Sequence, residues 1–571
     1  MKAGRILLEM LRQYGVEKVF GLPGETTLDL YREWKTFPHI EHVLVRDERN
    51  SVFMAEAYAK VSGRPGVCEG PSVGAPHMLP GVMEARDSCI PIIVITSDIP
   101  LYYGERNMLT GSDHKAIFGP FVKESLEVRR AQDIPFLVRR AFRLATTGRP
   151  GPVHMRFPMN IFQEDLEVSD LYAQQAFATY PGQRSQAAEE DIRRALRQLQ
   201  GKGRGVLFCG QGVHLSGACQ EVQALAELLG YGVGTTIGGK GSISEVHPLS
   251  LGCIGARGGT SFSNGVVAEA EALFFLGCST DSAGTDGWKK PLWNTEQFLL
   301  QIDASEGELG NNYPQAVTLF GDLKATLQRM LEILQEESLQ IHKDARWGEN
   351  IRQKREEYHH LCAERRESFS STVHPLKIVE ALQETAPKNA LYVADPGISA
   401  VYPAAFLKMV EAGRSFISNF SQGALGYATA ASLGAWKAGG GRRVINLTGD
   451  GSLGFCTGEL ETIARNKADI TVILFHNRSF GWIRGTDAYE GEDSFFATDF
   501  SETDYCTVAR GFGFTTFCIK EGKNPREILQ KAFALSGPVF VEIESLPEDR
   551  CFPPVPGWTD TAREKGMENC Y

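Results

Sequence analysis

The stretch LTGDGSLGFCTGELETIARNKADITVILFHNRSFG, residues 447–481, decides how this chain is read. It begins as the end of an apolar strand, RRVINLTGD (442–450), and turns at Gly449-Asp450-Gly451. It then runs through the helical pattern GELETIARN (458–466) and returns as the strand ITVILFHN (470–477), ending in Asn477 and Ser479. Strand, glycine turn, helix and strand make one βαβ unit of a parallel sheet. Taken alone, GDG is a common tight βα corner. Its meaning comes from what surrounds it.

Working outward, strands at ALYVAD (390–395), RSFISN (414–419) and PVFVEIES (538–545) complete a third α/β unit, assigned to 365–548. A first unit over 1–165 shows the same rhythm, with VFGLPG (19–24), HVLVRD (42–47), GVCEG (66–70) and PIIVITSD (91–98) alternating with helical patterns such as SVFMAEAYAKVSG (51–63). A polar connector follows. A second βα series over 185–340 runs from GVLFCGQG (205–212) to VTLFGD (317–322), each strand ending in Gly, Asp or Ser. The fold class expected is therefore α/β, with three doubly wound parallel-sheet domains. The charge-rich stretch from His342 to Ser371 reads as a solvated helical spacer. The Pro- and Gly-rich tail, 549–571, reads as a mobile flap.

Composition agrees with a globular protein of several domains: 571 residues, 42% hydrophobic and 23% charged. A net charge of −11 argues against affinity for nucleic acid or anionic membrane, since a phosphate-rich partner needs an excess of Lys and Arg. Twelve cysteines lie singly between Cys68 and Cys570 without a CxxC pair, so buried free thiols are expected rather than a zinc site or a disulfide lattice. The first residues have too little apolar length for a signal or anchor. The spacing of Ile6, Leu7, Met10 and Leu11 is that of an amphipathic helix, and a cytoplasmic protein is expected.

Residues 447–481 resemble the diphosphate-Mg²⁺ motif of thiamine diphosphate-dependent enzymes, in which GDG is followed one helix and one strand later by Asn. The physics suits that resemblance: a diphosphate binds well at a glycine-lined loop with free N–H groups ahead of a helix. Mg²⁺ is a hard cation that takes oxygen ligands. By this resemblance Asp450, Asn477 and the Ser479 backbone oxygen hold the metal, and Gly449, Gly451, Ser452, Phe480 and Gly481 line the cofactor. His476 stands where the family often has a second Asn. VRDERNSVFMAEAYAKVSGRPGV (45–67) is similar to the family's RHE-x(7)-EGYAR-x-TGRxGV block. It places Glu48 as the carboxylate beside the aminopyrimidine N1′, with Asp47 replacing the usual His. That hydrogen bond favours the tautomer able to remove the thiazolium C2 proton. The bland reading of a Glu opening a helix is a partner for the helix dipole.

The same resemblance puts Gly24 at the strand-to-helix turn, Gly397, Ile398 and Ser399 near the diphosphate, and Gly423 and Leu425 at the cofactor, with Leu425 between its two rings. In the family the two halves meet across a subunit interface, so a homodimer or homotetramer is implied. Overall similarity is nearest to the acetolactate synthase large subunit, with departures. SVGAPH (72–77) replaces a GPGATN loop and brings in His77. Thr110 stands for an active-site Gln, with His114 nearby as a further catalytic candidate. Trp482 occupies a substrate wall, and Thr486 replaces a Trp that governs acceptor choice. GCSTDSAG (277–284) lacks both arginines of the run that holds structural FAD, so tight FAD is not expected. The activity implied is decarboxylation of a 2-oxo acid with transfer of the acyl carbanion to a second carbonyl compound. A simple non-oxidative decarboxylase and a non-catalytic homologue stay open as alternatives.

Overall fold

The structure is a computed structural model that describes residues 1–104, 106–336, 343–567, 569 and 571. His342 and Cys570 lie outside the described residues. Three six-stranded sheets carry the chain, and every strand pairing described in them is parallel. The first contains β1 (Lys18–Gly21), β2 (Glu41–Leu44), β3 (Gly66–Gly70), β4 (Ile92–Asp98), β5 (Ser125–Glu127) and β6 (Val153–Pro158), in the order 2-1-3-4-6-5. The second contains β7 (Gly205–Cys209), β8 (Gly232–Thr235), β9 (Ser250–Cys253), β10 (Ala272–Leu276), β11 (Phe298–Asp303) and β12 (Val317–Phe320), in the order 12-11-10-7-8-9. The third contains β13 (Leu391–Ala394), β14 (Phe416–Ser418), β15 (Val444–Gly449), β16 (Ile470–His476), β17 (Thr515–Ile519) and β18 (Val539–Glu544), in the order 14-13-15-16-18-17.

The first and third orders are the same, each with its reversal between the first strand and the third. The second has the dinucleotide-binding order, reversing between β7 and β10. Ligands of open α/β sheets bind outside the carboxyl ends of the strands at such reversals. The reversal in the third sheet therefore points to the ends of β13 and β15, where Gly397 and Asp450 stand. In the first sheet it points to the ends of β1 and β3, near Gly24 and the loop from Ser72. Strands covered on both faces are apolar along their whole length. β4 and β16 are buried at every residue. In β7 and β10 alternate side chains enter two separate cores: Leu207, Phe274 and Leu276 in one, Val206, Phe208 and Phe275 in the other.

The chain forms two compact units. One joins residues Met1–Gln183 to Ser421–Asn446 and Ser452–Ile470; the other joins Arg184–Phe420 to Leu447–Gly451 and Thr471–Tyr571. In the first unit the amphipathic helix Ala3–Gln13 buries Ile6, Leu7, Met10 and Leu11, as its spacing requires. The helix Glu48–Ser62 is buried over nearly its whole length. It packs against the helix Tyr427–Ala438, where small residues set the separation: a Cβ on Gly434 would lie 2.0 Å from the Met54 carbonyl oxygen. Between these helices Tyr427 donates to Glu56 at 2.6 Å, and Lys60 pairs with Glu56 at 2.5 Å.

Two expectations are corrected in the second unit. The charged stretch does form a helix, Ala345–Glu367, but its start is core rather than spacer. Trp347 and Ile351 are buried among Val206, Phe208 and Phe275, and the Trp347 indole N–H donates to the Gly205 carbonyl at 3.0 Å. The tail does not stand away as a flap. Its helix Pro556–Glu564 and Phe552 bury Trp558 beside Trp482 and Ala488. None of the eleven described cysteines forms a disulfide, and most are buried.

The close helix contact is testable. Gly434→Val should cost about 1–3 kcal/mol through overpacking, measured by urea unfolding monitored by circular dichroism. An unchanged midpoint and slope would contradict the 2.0 Å approach.

Candidate active site

In the first unit, Asp47 caps the helix Glu48–Ser62 by accepting from the Arg49 N–H at 2.8 Å, and this sets Glu48 as its first residue. Glu48 lies just beyond β2 and is only 9% exposed. The turn Ser72–Met78, which follows β3, covers it. A Cβ on Gly74 would come within 2.4 Å of the Glu48 Cγ and Oε1, so this position has no room for a side chain. His77 Nδ1 approaches Glu48 Oε2 at 3.2 Å, and its ring is largely exposed. Asp47, Glu48 and His77 are thus brought together.

Gly24 packs its backbone on Pro71, where a Cβ would lie 2.3 Å from the proline Cβ. Thr26 accepts from the Ser72 N–H at 3.1 Å, tying the β1 turn to the β3 turn. Ser72 in turn donates to the Thr110 carbonyl, and Thr110 holds a left-handed φ of 71°. His114 is placed differently. It is fully buried, with Nδ1 2.8 Å from Thr96 Oγ1, which also reaches His154 Nε2 at 2.7 Å. Burial holds the His114 pKa below the usual imidazole value. Among the described residues no hydrogen bond joins it to Glu48 or His77, so it sits in the interior of the first sheet rather than with them. Gly423 and Leu425 lie in the loop ahead of Tyr427–Ala438, within this same unit, where the Gln422 N–H donates to Glu84 at 2.8 Å. Burial raises the Glu84 carboxyl to about 7. Ser452 is also buried in this unit, its carbonyl accepting from the Phe455 N–H.

In the second unit β13 and β15 are tied by Thr448, which donates to Asp395 at 2.7 Å. Gly397 takes φ 105° and ψ −157°, a conformation essentially open only to glycine, and its missing side chain faces open space. Ile398 and Ser399 open the next helix buried, and Ser399 donates to the Asp395 carbonyl at 2.9 Å. Gly449 ends β15. Asp450 accepts from the Gly451 N–H at 2.9 Å and, with its other oxygen, from the Arg478 N–H at 2.6 Å. It is 3% exposed, and burial raises its carboxyl to about 6. His476 Nε2 stands 3.8 Å away, with its Nδ1 committed to Glu542 at 2.8 Å. No Lys or Arg side-chain nitrogen among the described residues forms an ion pair within 4.0 Å of Asp450.

Asn477 Oδ1 accepts from the Ser479 N–H at 3.1 Å, while its Nδ2 donates to Glu548 at 2.7 Å. The Ser479 carbonyl receives no donor among the described residues, although Ser479 is buried. Phe480 closes the loop by stacking edge-on with Phe500 at 4.7 Å and by approaching Gly451, whose Cβ would lie 3.0 Å from it. Trp482 packs on Trp558 at 5.2 Å, and the Thr486 hydroxyl is turned back onto the Trp482 carbonyl at 2.9 Å. A desolvated carboxylate with no lysine or arginine side chain beside it among the described residues, an amide oxygen and an unfilled carbonyl oxygen form a hard-oxygen set. Such a set fits a divalent cation such as Mg²⁺. Glycines at 397, 449 and 451 at the sheet reversal leave room for the diphosphate that would complete it.

Glu548 is a residue that sequence reasoning missed. It is buried, and burial raises its carboxyl to about 8. Gly481 exists because of it: a Cβ there would lie 1.7 Å from Glu548 Oε2 and 2.5 Å from Asn477 Nδ2. By accepting from Nδ2, Glu548 fixes which end of the Asn477 amide serves as the oxygen donor. The one available signal was a lone Glu beyond the last strand.

Comparison with known proteins places the chain in a family. Residues 1–117 match the thiamine pyrophosphate enzyme N-terminal TPP binding domain, residues 192–330 the central domain, and residues 395–543 the C-terminal TPP binding domain. The chain belongs to the thiamine pyrophosphate enzymes. Within them it is acetolactate synthase-like. It is 28% identical to the probable acetolactate synthase large subunit of Methanocaldococcus jannaschii, over 96% of this chain and 93% of that protein. It is 27% identical to the acetolactate synthase isozyme 1 large subunit of Escherichia coli K12, over 96% and 95%. It is 28% identical to the acetolactate synthase large subunit of Porphyra purpurea, over 99% and 96%.

The raised Asp450 carboxyl has a consequence in pH. Its folded-state pKa lies above the unfolded value, so in the empty protein its ionisation costs stability as pH rises toward about 6. A bound cation relieves that cost only where Asp450 is ionised. The rise in Tm caused by Mg²⁺ with thiamine diphosphate should therefore be larger at pH 7.5 than at pH 5. An equal or larger rise at pH 5 would contradict the assignment. Gly481→Ala should weaken Mg²⁺-dependent cofactor binding by about tenfold or more, since it displaces the Glu548–Asn477 pair; unchanged affinity in equilibrium dialysis would show that the contact is not needed.

Proposed function

We propose that the protein binds thiamine diphosphate through Mg²⁺, decarboxylates a 2-oxo acid and joins the resulting acyl unit to a second carbonyl compound. The observation that carries this reading is the enclosed Glu48 carboxylate, reached by His77 and packed against Gly74 at the sheet reversal of the first unit. Asp450, Asn477 and the Ser479 carbonyl would hold the metal. Gly397, Gly449 and Gly451 would leave backbone space for the diphosphate. Thiamine diphosphate, when bound, supplies a carbanion nucleophile and an electron sink for the leaving carboxylate. Glu48 would hold the proton shared with the aminopyrimidine N1′. Low exposure keeps that hydrogen bond free of competing water.

His77, within hydrogen-bond distance of Glu48 yet open to solvent, is suited to carry a proton between that carboxylate and substrate. Trp482 and Thr486 shape the substrate wall. The Thr486 hydroxyl is engaged by its own helix, so it adds bulk rather than a free donor. The same reading takes the working protein as a cytoplasmic homodimer or dimer of dimers.

The test is a product profile. Cofactor-loaded protein offered a panel of 2-oxo acids should release CO₂ and, with an added aldehyde or a second 2-oxo acid, accumulate a 2-hydroxy ketone or 2-hydroxy acid. Free aldehyde as the sole product in every case would make it a plain decarboxylase. Glu48→Gln should lower turnover by roughly 10²–10⁴-fold. Undiminished turnover would remove Glu48 from catalysis.

A further inference from the structure

Resting on the functional reading above, we propose that Arg257 forms an oxyanion subsite for a carboxylate or phosphate that the substrate carries away from its reacting carbonyl. The guanidinium lies over the Trp482 indole, 4.6 Å from the ring centroid, one residue beyond Gly481, which packs against Asn477. Trp482 is the second residue of the helix Gly481–Glu490, directly after the loop proposed to bind the metal, so the cation is mounted beside that loop.

The backbone that presents Arg257 is fixed on both sides. The Ala256 N–H donates to the Ala283 carbonyl at 2.7 Å, and the Gly258 N–H to the Pro554 carbonyl at 3.3 Å. Gly255 has no room for a side chain, since its Cβ would lie 2.3 Å from the Gly284 carbonyl oxygen. Gly258 takes φ +84° with Ala404 beneath it. The GARGG sequence is thus a glycine-shaped bracket for one arginine.

Its charge is not consumed within the protein. Among the described residues no carboxylate lies within 4.0 Å of Arg257, and no hydrogen bond from its guanidinium is described. Asp286, the carboxylate that acts on it electrostatically, pairs instead with Lys290 at 3.8 Å. Burial lowers the Arg257 pKa from its usual value, as expected of a guanidinium moved out of water without a partner. An arginine stacked on an indole keeps the edge of its planar fork free for a bidentate oxyanion.

The group that leaves as CO₂ is a poor occupant for this site. Pairing it with a cation stabilises the ionised ground state more than the transition state, in which its charge is being lost, and so slows decarboxylation. An anionic group that persists through the reaction benefits without that penalty. The occupant inferred is therefore the distal carboxylate or phosphate of a dianionic substrate.

Two measurements on cofactor-loaded protein test this. In the first, kcat/KM is compared for 2-oxopentanedioate and 2-oxopentanoate, which differ only in the terminal group. Arg257→Met should reduce the dianion-to-monoanion ratio by about tenfold or more, and Arg257→Lys by less. A ratio unchanged in Arg257→Met overturns the proposal. In the second, calorimetric titration with glutarate and with inorganic phosphate needs no turnover. Tighter binding of glutarate identifies a carboxylate site and tighter binding of phosphate a phosphate site, and either must be lost in Arg257→Met. Equal affinity in both proteins, or binding of neither probe by the wild type, overturns it. Should no 2-oxo acid be turned over, the functional reading fails while the titration still decides the subsite. A melting curve and cofactor affinity matching wild type show that the variant is folded.

Discussion

A carboxylate taken out of water at the carboxyl end of a central parallel strand is the constraint on which the candidate site of the second unit depends. Asp450 is held by two backbone N–H groups and faces no arginine or lysine among the described residues. Such a group is unfavourable unless it is neutralised by a proton or by a cation. The surroundings favour the cation: the Asn477 amide is oriented through Glu548, and the Ser479 carbonyl is left without a donor. Arg478 adopts a left-handed φ of 61°, and its N–H reaches Asp450. The loop is built around this carboxylate rather than merely beside it.

In the first unit, the placement of Glu48 depends on close packing of small residues. Glu48 is enclosed because Gly74 permits the turn after β3 to approach it, and its helix is buried because Gly434 permits another helix to touch its backbone. Side chains at either glycine would separate the surfaces. The tightly packed interior cannot absorb that without moving the carboxylate. The turn that covers Glu48 and the loop that carries Asp450 each follow the third strand of a sheet with the same strand order, β3 and β15.

The sheets were legible because parallel strands covered on both faces are continuous apolar runs, as in IIVITSD and ITVILFH. The motif around Asp450 and the Glu48 helix were legible because turn chemistry and cap residues are local. Long-range packing was not. Nothing in the sequence of Tyr427–Ala438 states that it joins the unit containing Glu48; its glycine and alanines signal a close neighbour without naming it. Trp347 and Ile351 were hidden by the average polarity of a charged segment, although their spacing of four residues marks one helical face. His114 is near Thr110 in sequence, but the sequence does not show that its side chain turns inward to Thr96. Glu548 and Arg257 belong to no motif; burial against Asn477 distinguishes the first, and the want of a carboxylate partner among the described residues the second.

The most direct test of the central claim is calorimetric titration of the metal-free protein with thiamine diphosphate, in the presence of Mg²⁺ and again in EDTA, for the wild type and Asp450→Asn. The account requires saturable binding that depends on Mg²⁺ and is strongly weakened by the substitution. Binding of equal strength in EDTA, or in Asp450→Asn, would contradict it.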